Sequence, residues 1–514
     1  MKILSSVQIR EADAYTIKHE PIKSIDLMER AGTLCFEWLY NAAPNLFPET
    51  ITEEKDWVFY VVCGVGNNGG DGLVIARLLQ RNGYNAEVVV VEVSEKHSKD
   101  FTANYDKLGK GKKSVSHIRK TKDVIDFPDD AVIIDCIFGT GLNRPVEGIA
   151  LEVVEKINAC HSTVVSIDMP SGLYDGDNSK NNEKGIVRSD YILTFQVPKL
   201  SFFLAENAPV VGQIEILDIG LHRDFMASVV ADYHYFTSDE AAVMRRPRPL
   251  FSHKGTYGHA LIIGGAYGKW GAAILAAKAC MRSGAGLVTS HIGKAGADLI
   301  LQAMPEIMIS ADESETKFTK LPDLSPYSAI GVGPGIGKAE ETIRALKLLI
   351  QEAKVPLVLD ADALNILSDN PTWLAFLPKG SILTPHPGEF ARLAGDKLSH
   401  FDSIEKQREL SRKHGIYILL KGAHSSLSFP DGRVLINSTG NPGMASGGMG
   451  DALTGIITGL LASGYNPLEA AALAMFVHGK AGDLALEKQS VESLVASDLI
   501  ENIGNAFESL KHVK

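Results

Sequence analysis

The sequence predicts an α/β protein of two units, each a parallel sheet with helices on both faces. The first observation is that short apolar runs alternate with amphipathic runs, beginning with a strand at 58–63 and a helix at 71–80. The second is that the alternation starts again with a strand at 260–265 and an alanine-rich helix ending at Met281. Such alternation is typical of parallel sheets covered on both faces, so we expect three layers in each half.

The boundary between the two units is expected near residue 222. Residues 8–40 show helical apolar spacing, and apolar runs predict further strands of the first half at 86–93, 131–135, 163–168, 191–195 and 214–220. A basic, Pro- and Gly-rich stretch at 245–258 then predicts a surface connector. We therefore predict domains at 1–222 and 223–514, the second with later strands at 286–289, 329–333, 356–362, 381–384 and 417–421.

Composition and charge exclude several classes of protein. The chain has 514 residues, of which 45% are apolar and 22% charged, and its formal net charge is -11. Nucleic-acid binders usually carry a basic excess, so no nucleic-acid partner is expected. No apolar stretch of about 18 residues escapes interruption by charge, which predicts no membrane span. The five cysteines lack zinc spacing and the start lacks a signal-peptide pattern, so we expect a cytoplasmic enzyme with buried thiols.

The most informative stretch is the glycine-rich segment 440–451, which ends in Asp451. An apolar helical run follows at once from Ala452. Backbone N–H groups at a helix start, together with the helix dipole, form an anion site suited to phosphate. A bound phosphate would repel Asp451, unless that carboxylate is the base for a hydroxyl that attacks the phosphate. The alternative is a plain turn in which Asp451 only caps the helix.

A second glycine-rich segment, Gly64-Val-Gly-Asn-Asn-Gly69, lies between a predicted strand and a predicted helix. It matches the G-x-G-x-x-G pattern of dinucleotide-binding, Rossmann-like folds, and Glu92 stands roughly where a ribose-binding carboxylate belongs. The extension to Gly72 contains asparagines that can present oxygen to a cation or to a nicotinamide amide. A plain NAD dehydrogenase needs no such extension.

Polar side chains also follow other strands of the first half. Asp135 and Asp168 end predicted strands, and Ser171 comes shortly afterwards. Because the carboxyl ends of parallel strands converge on one crevice, we expect Asn68, Asp135, Asp168 and Ser171 to meet there. Oxygen ligands of mixed charge suit a hard cation. The alternative is that each aspartate only caps a helix or a turn.

The motifs of the first half resemble those of the NAD(P)H-hydrate epimerase family. The resemblance rests on Asn67-Asn-Gly-Gly-Asp-Gly72, Phe138-Gly-Thr-Gly-Leu142, Ser166-Ile-Asp-Met-Pro-Ser-Gly-Leu173, Thr194-Phe195, Pro198-Lys199 and an opening segment at 5–32. The sequence departs from the family pattern at His19-Glu-Pro-Ile-Lys, where a glycine usually precedes Ile-Pro, and at Tyr174, where aspartate is common.

That resemblance implies interconversion of the R and S forms of NADH or NADPH that have been hydrated at the nicotinamide ring, with the help of a potassium ion. It implies that Asn68, Asp135 and Ser171 bind the potassium ion and that Asp168 lies against the hydrated ring. Epimerising a carbon that bears a hydroxyl needs an acid/base group beside it, and Asp168 is our candidate. The substrate-binding residues implied by the resemblance are Asn67, Asn68, Gly69, Gly70, Asp71, Gly139, Thr140, Gly141, Leu142 and Asp168.

The second half carries polar groups after its own strands. Glycines permit close approach of a ligand at 264–265 and 333–337. His386 follows one strand and Lys421 the next, and a lysine beside small hydroxyl residues suits phosphate contact. Taken alone, however, a histidine between prolines is more typical of a structural turn, and a single lysine of a solvated surface. The chain has no G-x-x-x-x-G-K-[ST] motif, so it is not a P-loop enzyme.

Together these motifs resemble the ribokinase-like fold and, more closely, the ADP/ATP-dependent NAD(P)H-hydrate dehydratase family. They are Lys254-Gly-Thr-Tyr-Gly-His259, Gly331-Val-Gly-Pro-Gly335, Leu359-Asp-Ala-Asp-Ala-Leu-Asn365, the His386 motif, Lys421-Gly-Ala-His424 and Ser446-Gly-Gly-Met-Gly-Asp451. The resemblance spans nearly all of residues 225–510. With the first half, it follows the order of the bifunctional bacterial repair enzymes.

The second resemblance implies that Asp451 deprotonates the ring hydroxyl of the S form for attack on the terminal phosphate of ADP or ATP. We also expect a magnesium ion with the nucleotide, because phosphoryl transfer needs a cation that neutralises the phosphates. Substrate contacts are implied at Gly333, Pro334, Gly335, His386 and Asp451, and nucleotide contacts at Lys421, Gly422, Ala423, His424, Ser425 and Gly450. The domain order favours ADP as the donor, and the family implies a homo-oligomer. The preference between NADH and NADPH hydrates stays open.

Three other functions also stay open at this point. A ribokinase-like small-molecule kinase, such as a vitamin-precursor kinase, would use Asp451 but would leave the first half unexplained. A nucleotide sensor without catalysis is a second alternative, against which the presence of both Asp168 and Asp451 argues. A plain NAD dehydrogenase is supported by the G-x-G-x-x-G match alone.

Overall fold

A computed structural model describes residues 1–49, 56–109 and 114–511 of the chain. Two compact units follow one another, Lys2–Ala231 and Asp232–Lys514. The sequence placed the boundary between 222 and 223. The segment after 222 groups with the first unit because Phe225 and Met226 pack against the cluster that contains Ala12 and Ile219.

The first unit contains one parallel sheet and confirms the predicted α/β class. The strands lie in the order β4-β3-β2-β5-β6-β7-β8, and every neighbouring pair is parallel. The elements of this unit are β1 (Lys2–Ile3), α1 (Ser6–His19), α2 (Ser24–Leu46), β2 (Val58–Cys63), α3 (Asn67–Arg81), β3 (Asn85–Val91), α4 (Lys99–Lys107), β4 (Val115–Ile118), β5 (Val132–Cys136), α5 (Gly148–Ala159), β6 (Thr163–Ile167), β7 (Tyr191–Phe195), β8 (Gln213–Leu217) and α6 (Arg223–Ser228).

Helices cover both faces of this sheet, as the alternation of side chains along each strand requires. Val61 belongs to a core cluster with Leu39 of α2 and Leu73 of α3. Its neighbour Val62 belongs to a different cluster, with Val154 of α5. Both valines are completely buried, so the apolar run that predicted β2 reflects a strand packed on two sides.

The second unit is also an α/β structure, and its sheet is mixed. The strands lie in the order β9-β18-β17-β16-β15-β14-β13-β10-β11-β12. The elements are β9 (Tyr233–Phe236), α7 (Ser238–Met244), β10 (His259–Ile263), α8 (Trp270–Arg282), β11 (Leu287–Ile292), α9 (Ala297–Ala303), β12 (Met308–Ala311), β13 (Ala329–Val332), α10 (Glu340–Glu352), β14 (Leu357–Leu359), α11 (Ala361–Asp369), β15 (Ile382–Leu383), α12 (Pro387–Ala394), α13 (His400–His414), β16 (Tyr417–Leu420), β17 (Ser426–Ser428), β18 (Val434–Asn437), α14 (Met449–Ala462), α15 (Pro467–Ala485) and α16 (Ala496–Ser509).

One strand of this unit departs from the predicted parallel arrangement. β17 runs antiparallel to both β16 and β18. The connections at 421–425 and 429–433 are short turns, and such turns join only antiparallel neighbours, because a parallel crossover needs a dozen or more residues. The three-residue strand β17 is too short for its apolar pattern to stand out in the sequence.

Two core clusters again lie on opposite faces of the sheet. Ile262 of β10 packs in the cluster that contains residues of α8, α14, α15 and α16. The adjacent Ile263 packs with residues of α10 and α11. The three-layer arrangement is therefore present in both units.

The helix predicted to begin at residue 71 begins four residues earlier, within the glycine-rich segment 67–72. That segment forms the first turns of α3, which begins at Asn67. The glycines are needed because the helix packs directly onto strand ends: a Cβ on Gly69 would lie 1.7 Å from the carbonyl oxygen of Gly64. A Cβ on Gly72 would lie 2.8 Å from the Cys63 sulfur. Close packing here overrides the low helix propensity of glycine.

The carboxyl ends of the parallel strands carry the residues that the sequence singled out. Asp168 follows β6 and Lys421 follows β16. In the part of the chain that the structure describes, we find no helix long and apolar enough to cross a membrane.

Candidate functional site

The first site is built around Asp135, the fourth residue of β5. Its side chain is completely buried. Within the described residues, one carboxylate oxygen accepts from Ile137 N at 3.2 Å and Ser171 Oγ at 2.5 Å, and the other from Ser166 Oγ and Ser171 N, both at 2.8 Å. Burial still raises the pKa of Asp135, although these hydrogen bonds oppose the rise.

The structure brings the four predicted strand-end residues together. Ser171 Oγ accepts from Phe138 N at 2.8 Å, and Asn68 Nδ2 donates to Phe138 O at 3.0 Å. A Cβ added to Gly139 would lie 3.3 Å from Asp168 Oδ2 and 3.4 Å from Asn68 Cγ. The loop after β5 therefore joins Asn68 of α3 to Asp135, Asp168 and Ser171.

Asp168 is held in an unusual position by a buried lysine. Its backbone has φ +65°, a conformation that non-glycine residues seldom adopt. Lys199 Nζ donates to Asp168 Oδ1 and to Thr194 Oγ1, both at 2.6 Å. Lys199 is 0% exposed and Asp168 keeps 14% of its side-chain surface exposed. The ion pair leaves Asp168 Oδ2 on the side of Gly139.

In the sequence, Lys199 belongs to the Pro198-Lys199 motif that resembles the epimerase family, but no role was predicted for it. The signal available was a lysine in a run of apolar residues between Val197 and Leu204. A lysine is buried only when it is paired, so its position there predicts a carboxylate partner.

Two further carboxyl groups lie close to Asp168. The pKa of Asp13, on α1, is raised to about 6 by burial and by the charge of Asp168, while Lys199 opposes the rise. The pKa of Asp71, on α3, is raised well above its usual value, first by burial and then by Asp168, Asp13 and Asp100. Sequence reasoning missed Asp13, because an aspartate in a helix carries no signal of its own.

One predicted substrate residue of the loop after β5, Leu142, borders a cavity of about 510 Å³. Phe138 and Leu142 line it, together with Glu92. Glu92 is engaged at both oxygens, 2.9 Å from His97 Nε2 and 2.9 Å from His117 Nδ1. Of the predicted loop residues, Gly139, Thr140 and Leu142 are partly buried and Gly141 is exposed.

The second site is organised by Asp360, which follows β14 and is 1% exposed. Its Oδ1 accepts from Lys421 Nζ at 2.8 Å and its Oδ2 from Thr454 Oγ1 at 2.9 Å. A Cβ on Gly333 would lie 1.9 Å from the Asp360 carbonyl oxygen, so the 333–335 turn packs directly on this residue. Sequence reasoning gave Asp360 no role, although it joins the Gly333 turn, Lys421 and α14.

Asp451 lies in the first turn of α14, beside that network. The helix begins at Met449, directly after Gly448 with φ +92°. The pKa of Asp451 is raised to about 7, chiefly by burial and by the charge of Asp360, while the Lys421 ammonium opposes the rise. A carboxyl with this pKa exchanges protons near neutral pH, as a general base requires.

His386 has the structural role that the sequence had left as an alternative. Its Nδ1 accepts from Gly388 N at 3.0 Å and from Glu389 N at 3.4 Å, so it caps α12. It nevertheless lies at the same crevice, because Lys421 N donates to Pro385 O at 2.9 Å and Lys421 Nζ lies 3.9 Å from Glu389 Oε2. The imidazole is about half exposed, so capping does not prevent contact with a ligand.

The predicted nucleotide segment 421–425 is the turn between β16 and β17. Ser425 Oγ accepts from Gly422 N at 3.3 Å, and His424 Nδ1 lies 3.3 Å from Asn437 O. Burial lowers the pKa of His424, which disfavours its charged form. A Cβ on Gly450 would lie 3.1 Å from Lys421 Nζ, which places this turn beside the start of α14.

The predicted substrate contacts Gly333, Pro334 and Gly335 lie beside the loop that follows β10. Gly265 N donates to Pro334 O at 2.7 Å, and a Cβ on Gly335 would lie 3.0 Å from Lys269 Cβ. Lys269 Nζ is also 3.2 Å from Asp362 Oδ2. Throughout the described residues, no group of three or more His, Cys, Asp and Glu side chains is arranged to hold a metal ion.

Comparison with known proteins identifies the family. The family described as "YjeF-related protein N-terminus" matches residues 24–201, and the family described as "NAD(P)H-hydrate dehydratase" matches residues 260–505. The bifunctional NAD(P)H-hydrate repair enzyme of Moorella thermoacetica is 33% identical to this chain, over 99% of this chain and 97% of its own length. The chain belongs to the bifunctional NAD(P)H-hydrate repair enzymes.

A second relative agrees with this membership. The bifunctional NAD(P)H-hydrate repair enzyme of Escherichia coli is 31% identical, over 93% of this chain and 88% of its own length. A crystal structure of ADP/ATP-dependent NAD(P)H-hydrate dehydratase from Bacillus subtilis, co-crystallized with ATP/Mg2+, is 30% identical and has a TM-score of 0.47. The match covers 54% of the present chain and 99% of the Bacillus subtilis chain.

The predicted family and enzyme class are thereby confirmed: a repair enzyme with an epimerase domain and a dehydratase domain. The alternatives of a small-molecule kinase, a sensor and a plain dehydrogenase are set aside. The two sites described above, one in each unit of this chain, are the candidate sites for the two activities.

Proposed function

We propose that the first unit epimerises hydrated NADH and NADPH and that the second unit dehydrates the S form at the expense of ADP or ATP. The observation that supports this division most strongly is that each unit has its own carboxylate at a strand end or helix start. Asp168 is paired with Lys199 in one unit, and Asp451 lies beside Asp360 and Lys421 in the other. The proposed domains are 1–222 and 223–514, and the segment from 223 to Ala231 groups with the first compact unit.

In the second unit, Asp451 takes the proton of the ring hydroxyl as that oxygen attacks the terminal phosphate of the nucleotide. The raised pKa favours this, because a carboxylate with a pKa of about 7 is a stronger base than an ordinary aspartate. Phosphate is then a far better leaving group than hydroxide, and its elimination restores the reduced nicotinamide ring. Gly333, Pro334, Gly335 and His386 are the proposed contacts to the hydrated nucleotide.

The nucleotide is proposed to lie against the turn Lys421, Gly422, Ala423, His424 and Ser425, with Gly450 beside it. The N–H groups at the start of α14 and the Lys421 ammonium suit the charge of a phosphate in transfer. We propose ADP as the preferred donor. A magnesium ion supplies charge neutralisation to the phosphates when it is bound.

In the first unit, Asp168 is the proposed base beside the hydroxyl-bearing carbon. Lys199 fixes one of its oxygens at 2.6 Å, which leaves the other for the substrate. The proposed substrate contacts are Asn67, Asn68, Gly69, Gly70, Asp71, Gly139, Thr140, Gly141 and Leu142. The enzyme is also proposed to be a cytoplasmic homo-oligomer.

The residues of the first site fit a potassium ion. Asp135 is a completely buried carboxylate that, in the described residues, is reached by hydroxyl and backbone donors rather than by a lysine or arginine. A monovalent cation would balance its charge, and Asn68, Asp135 and Ser171 offer the oxygen ligands that hard cations prefer. When bound, the ion supplies positive charge beside the reacting ring.

Selective loss of one activity tests the division of labour. Asp451→Asn keeps the shape of the side chain but removes the base, so dehydration is expected to slow by about 10²–10⁴. Epimerisation and nucleotide binding should stay at parental levels in this variant. Asp168→Asn should instead lose epimerisation and keep the parental rate of dehydration of the S form. The measurements are NADH recovery from the S form, racemisation of the pure R form and ADP binding. Near-normal dehydration by Asp451→Asn would contradict the role of Asp451.

The pH dependence of dehydration tests the state of Asp451. The base works only when it is ionised, so kcat/KM is expected to fall as the pH drops below about 7. Asp362 raises the pKa of Asp451, so Asp362→Asn should move this acidic limb to lower pH. A limb that stays in place in Asp362→Asn, or that is missing in the parent enzyme, would disagree with the proposed base.

Exchange of monovalent cations tests the potassium proposal. Replacing K⁺ with Na⁺ at constant ionic strength is expected to lower epimerase turnover while dehydration of the S form keeps its rate. Asp135→Asn, which removes the buried charge, should make the epimerase insensitive to the exchange. Equal epimerase rates of the parent enzyme in both salts would remove the ion from the account.

A further inference from the structure

Glu92 is a carboxylate directly after β3 whose orientation is fixed by two histidines. His97 Nε2 lies 2.9 Å from one of its oxygens, and His117 Nδ1 lies 2.9 Å from the other. Burial acts to raise the pKa of Glu92, but the hydrogen bonds from His117 and His97 outweigh it, so the pKa is lowered and the group is ionised at neutral pH. A carboxylate has about four lone-pair positions, so two hydrogen bonds leave room for a further donor.

Glu92 borders the cavity of about 510 Å³ that adjoins the loop after β5. Its side chain keeps 16% of its surface exposed, so a ligand in this cavity can reach the carboxylate. Leu142, Val146 and Ile149 give the cavity an apolar wall. An apolar wall beside one fixed polar group is typical of a site for a base and its ribose.

The sheet topology places this cavity at a distance from Asp168 that a dinucleotide can cover. In the sheet, β2 and β5 separate β3 from β6, so the ends of β3 and β6 lie three strand spacings apart. At about 4.8 Å per spacing, this is roughly 14 Å. Dinucleotides bind across the carboxyl ends of parallel strands in this way, with the adenosine half over the strand that follows the glycine-rich helix.

The loop after β5 connects the two ends of that path. Asn68 Nδ2 donates to Phe138 O at 3.0 Å, and Phe138 also borders the cavity of Glu92. A Cβ on the next residue, Gly139, would lie 3.3 Å from Asp168 Oδ2. A substrate whose hydrated ring lies at Asp168 can therefore follow this loop and bring its adenosine ribose to Glu92.

We propose that Glu92 makes the first unit prefer NADH hydrate to NADPH hydrate. The inference rests on the proposed epimerase function and names which of its two substrates the site favours. NADH has a free 2′-hydroxyl on the adenosine ribose, and this hydroxyl can donate to the carboxylate. NADPH has a phosphate at that position, which the charge of Glu92 repels.

Two arginines offer the opposite preference, because arginine can receive a 2′-phosphate. Arg119 Nη2 lies 3.9 Å from Glu92 Oε1, but Arg119 does not border the cavity. Arg144 borders it and is exposed. Among the described residues, the charged side chains of the cavity wall are Glu92, Arg144 and Glu147, so the wall has a net negative charge. That balance favours the hydroxyl over the phosphate.

The test compares racemisation of the pure R forms of NADH hydrate and NADPH hydrate without ADP or ATP, so that the second unit is idle. In the parent enzyme, kcat/KM for NADH hydrate is expected to exceed that for NADPH hydrate by about tenfold or more, the effect of one hydrogen bond to a charged group. Glu92→Gln keeps the size of the side chain and removes its charge. The ratio should then fall towards one, with the change in KM.

Glu95→Gln is the matched control. Glu95 is an exposed carboxyl group of the same loop, three residues beyond Glu92, and it does not border the cavity. Its loss removes the same charge from the same segment, so the parental ratio should be kept. A second measurement needs no variant: NAD⁺ should inhibit racemisation by the parent enzyme more tightly than NADP⁺.

Other results would overturn the proposal. Equal kcat/KM for the two hydrates in the parent enzyme, or a preference for NADPH hydrate, would remove the selection by Glu92. A parental ratio in Glu92→Gln would give the preference another origin, and equal inhibition by NAD⁺ and NADP⁺ would contradict it without any variant. In each of these cases the epimerase function still stands. If the parent enzyme racemises neither hydrate, the proposed function of the first unit fails instead.

Discussion

Both sites depend on how the negative charge of buried carboxylates is compensated by hydrogen-bond donors and by lysines. Each site lies where buried strands of a parallel sheet end, so its acidic side chains lose most of their hydration. Asp135 is stabilised by hydroxyl and backbone donors, Asp168 by Lys199, and Asp360 by Lys421 and Thr454. Each of these groups is fixed in orientation by its partners, because an unbalanced charge at such a position is costly.

Within the described residues, no hydrogen bond reaches the carboxyl groups of two further aspartates at these sites, Asp71 and Asp451. The pKa of each carboxyl is raised by burial and by the charge of a nearby aspartate, and that aspartate is itself paired with a lysine. The same arrangement thus occurs in two unrelated sheets: a balanced aspartate, Asp168 or Asp360, beside an unbalanced one. In the second unit, Asp360 is fixed by its partners, and Asp451 beside it has a pKa of about 7, which lets it exchange protons near neutral pH.

Much of this could be predicted from the sequence, because strand ends are visible as apolar runs followed by polar residues. Asp135, Asp168 and Ser171 were expected to meet on that ground alone, and they do. Their long-range partners were not predictable in the same way. Lys199 lies 31 residues beyond Asp168, and only the fold shows that the two are paired. The start of α3 was missed because glycine is a poor helix former, and its value in packing against Gly64 and Cys63 is a tertiary effect.

The central claim is that one chain recovers both forms of the hydrate through two separate sites. The most direct measurement follows absorbance at the reduced-nicotinamide band when a mixture of both NADH-hydrate epimers is given to the intact protein with magnesium and ADP or ATP. The account predicts complete recovery, because the first unit keeps supplying the S form that the second unit consumes. Recovery that stalls near the share of one epimer would contradict the role of the first unit, and no recovery with either nucleotide would contradict the account as a whole.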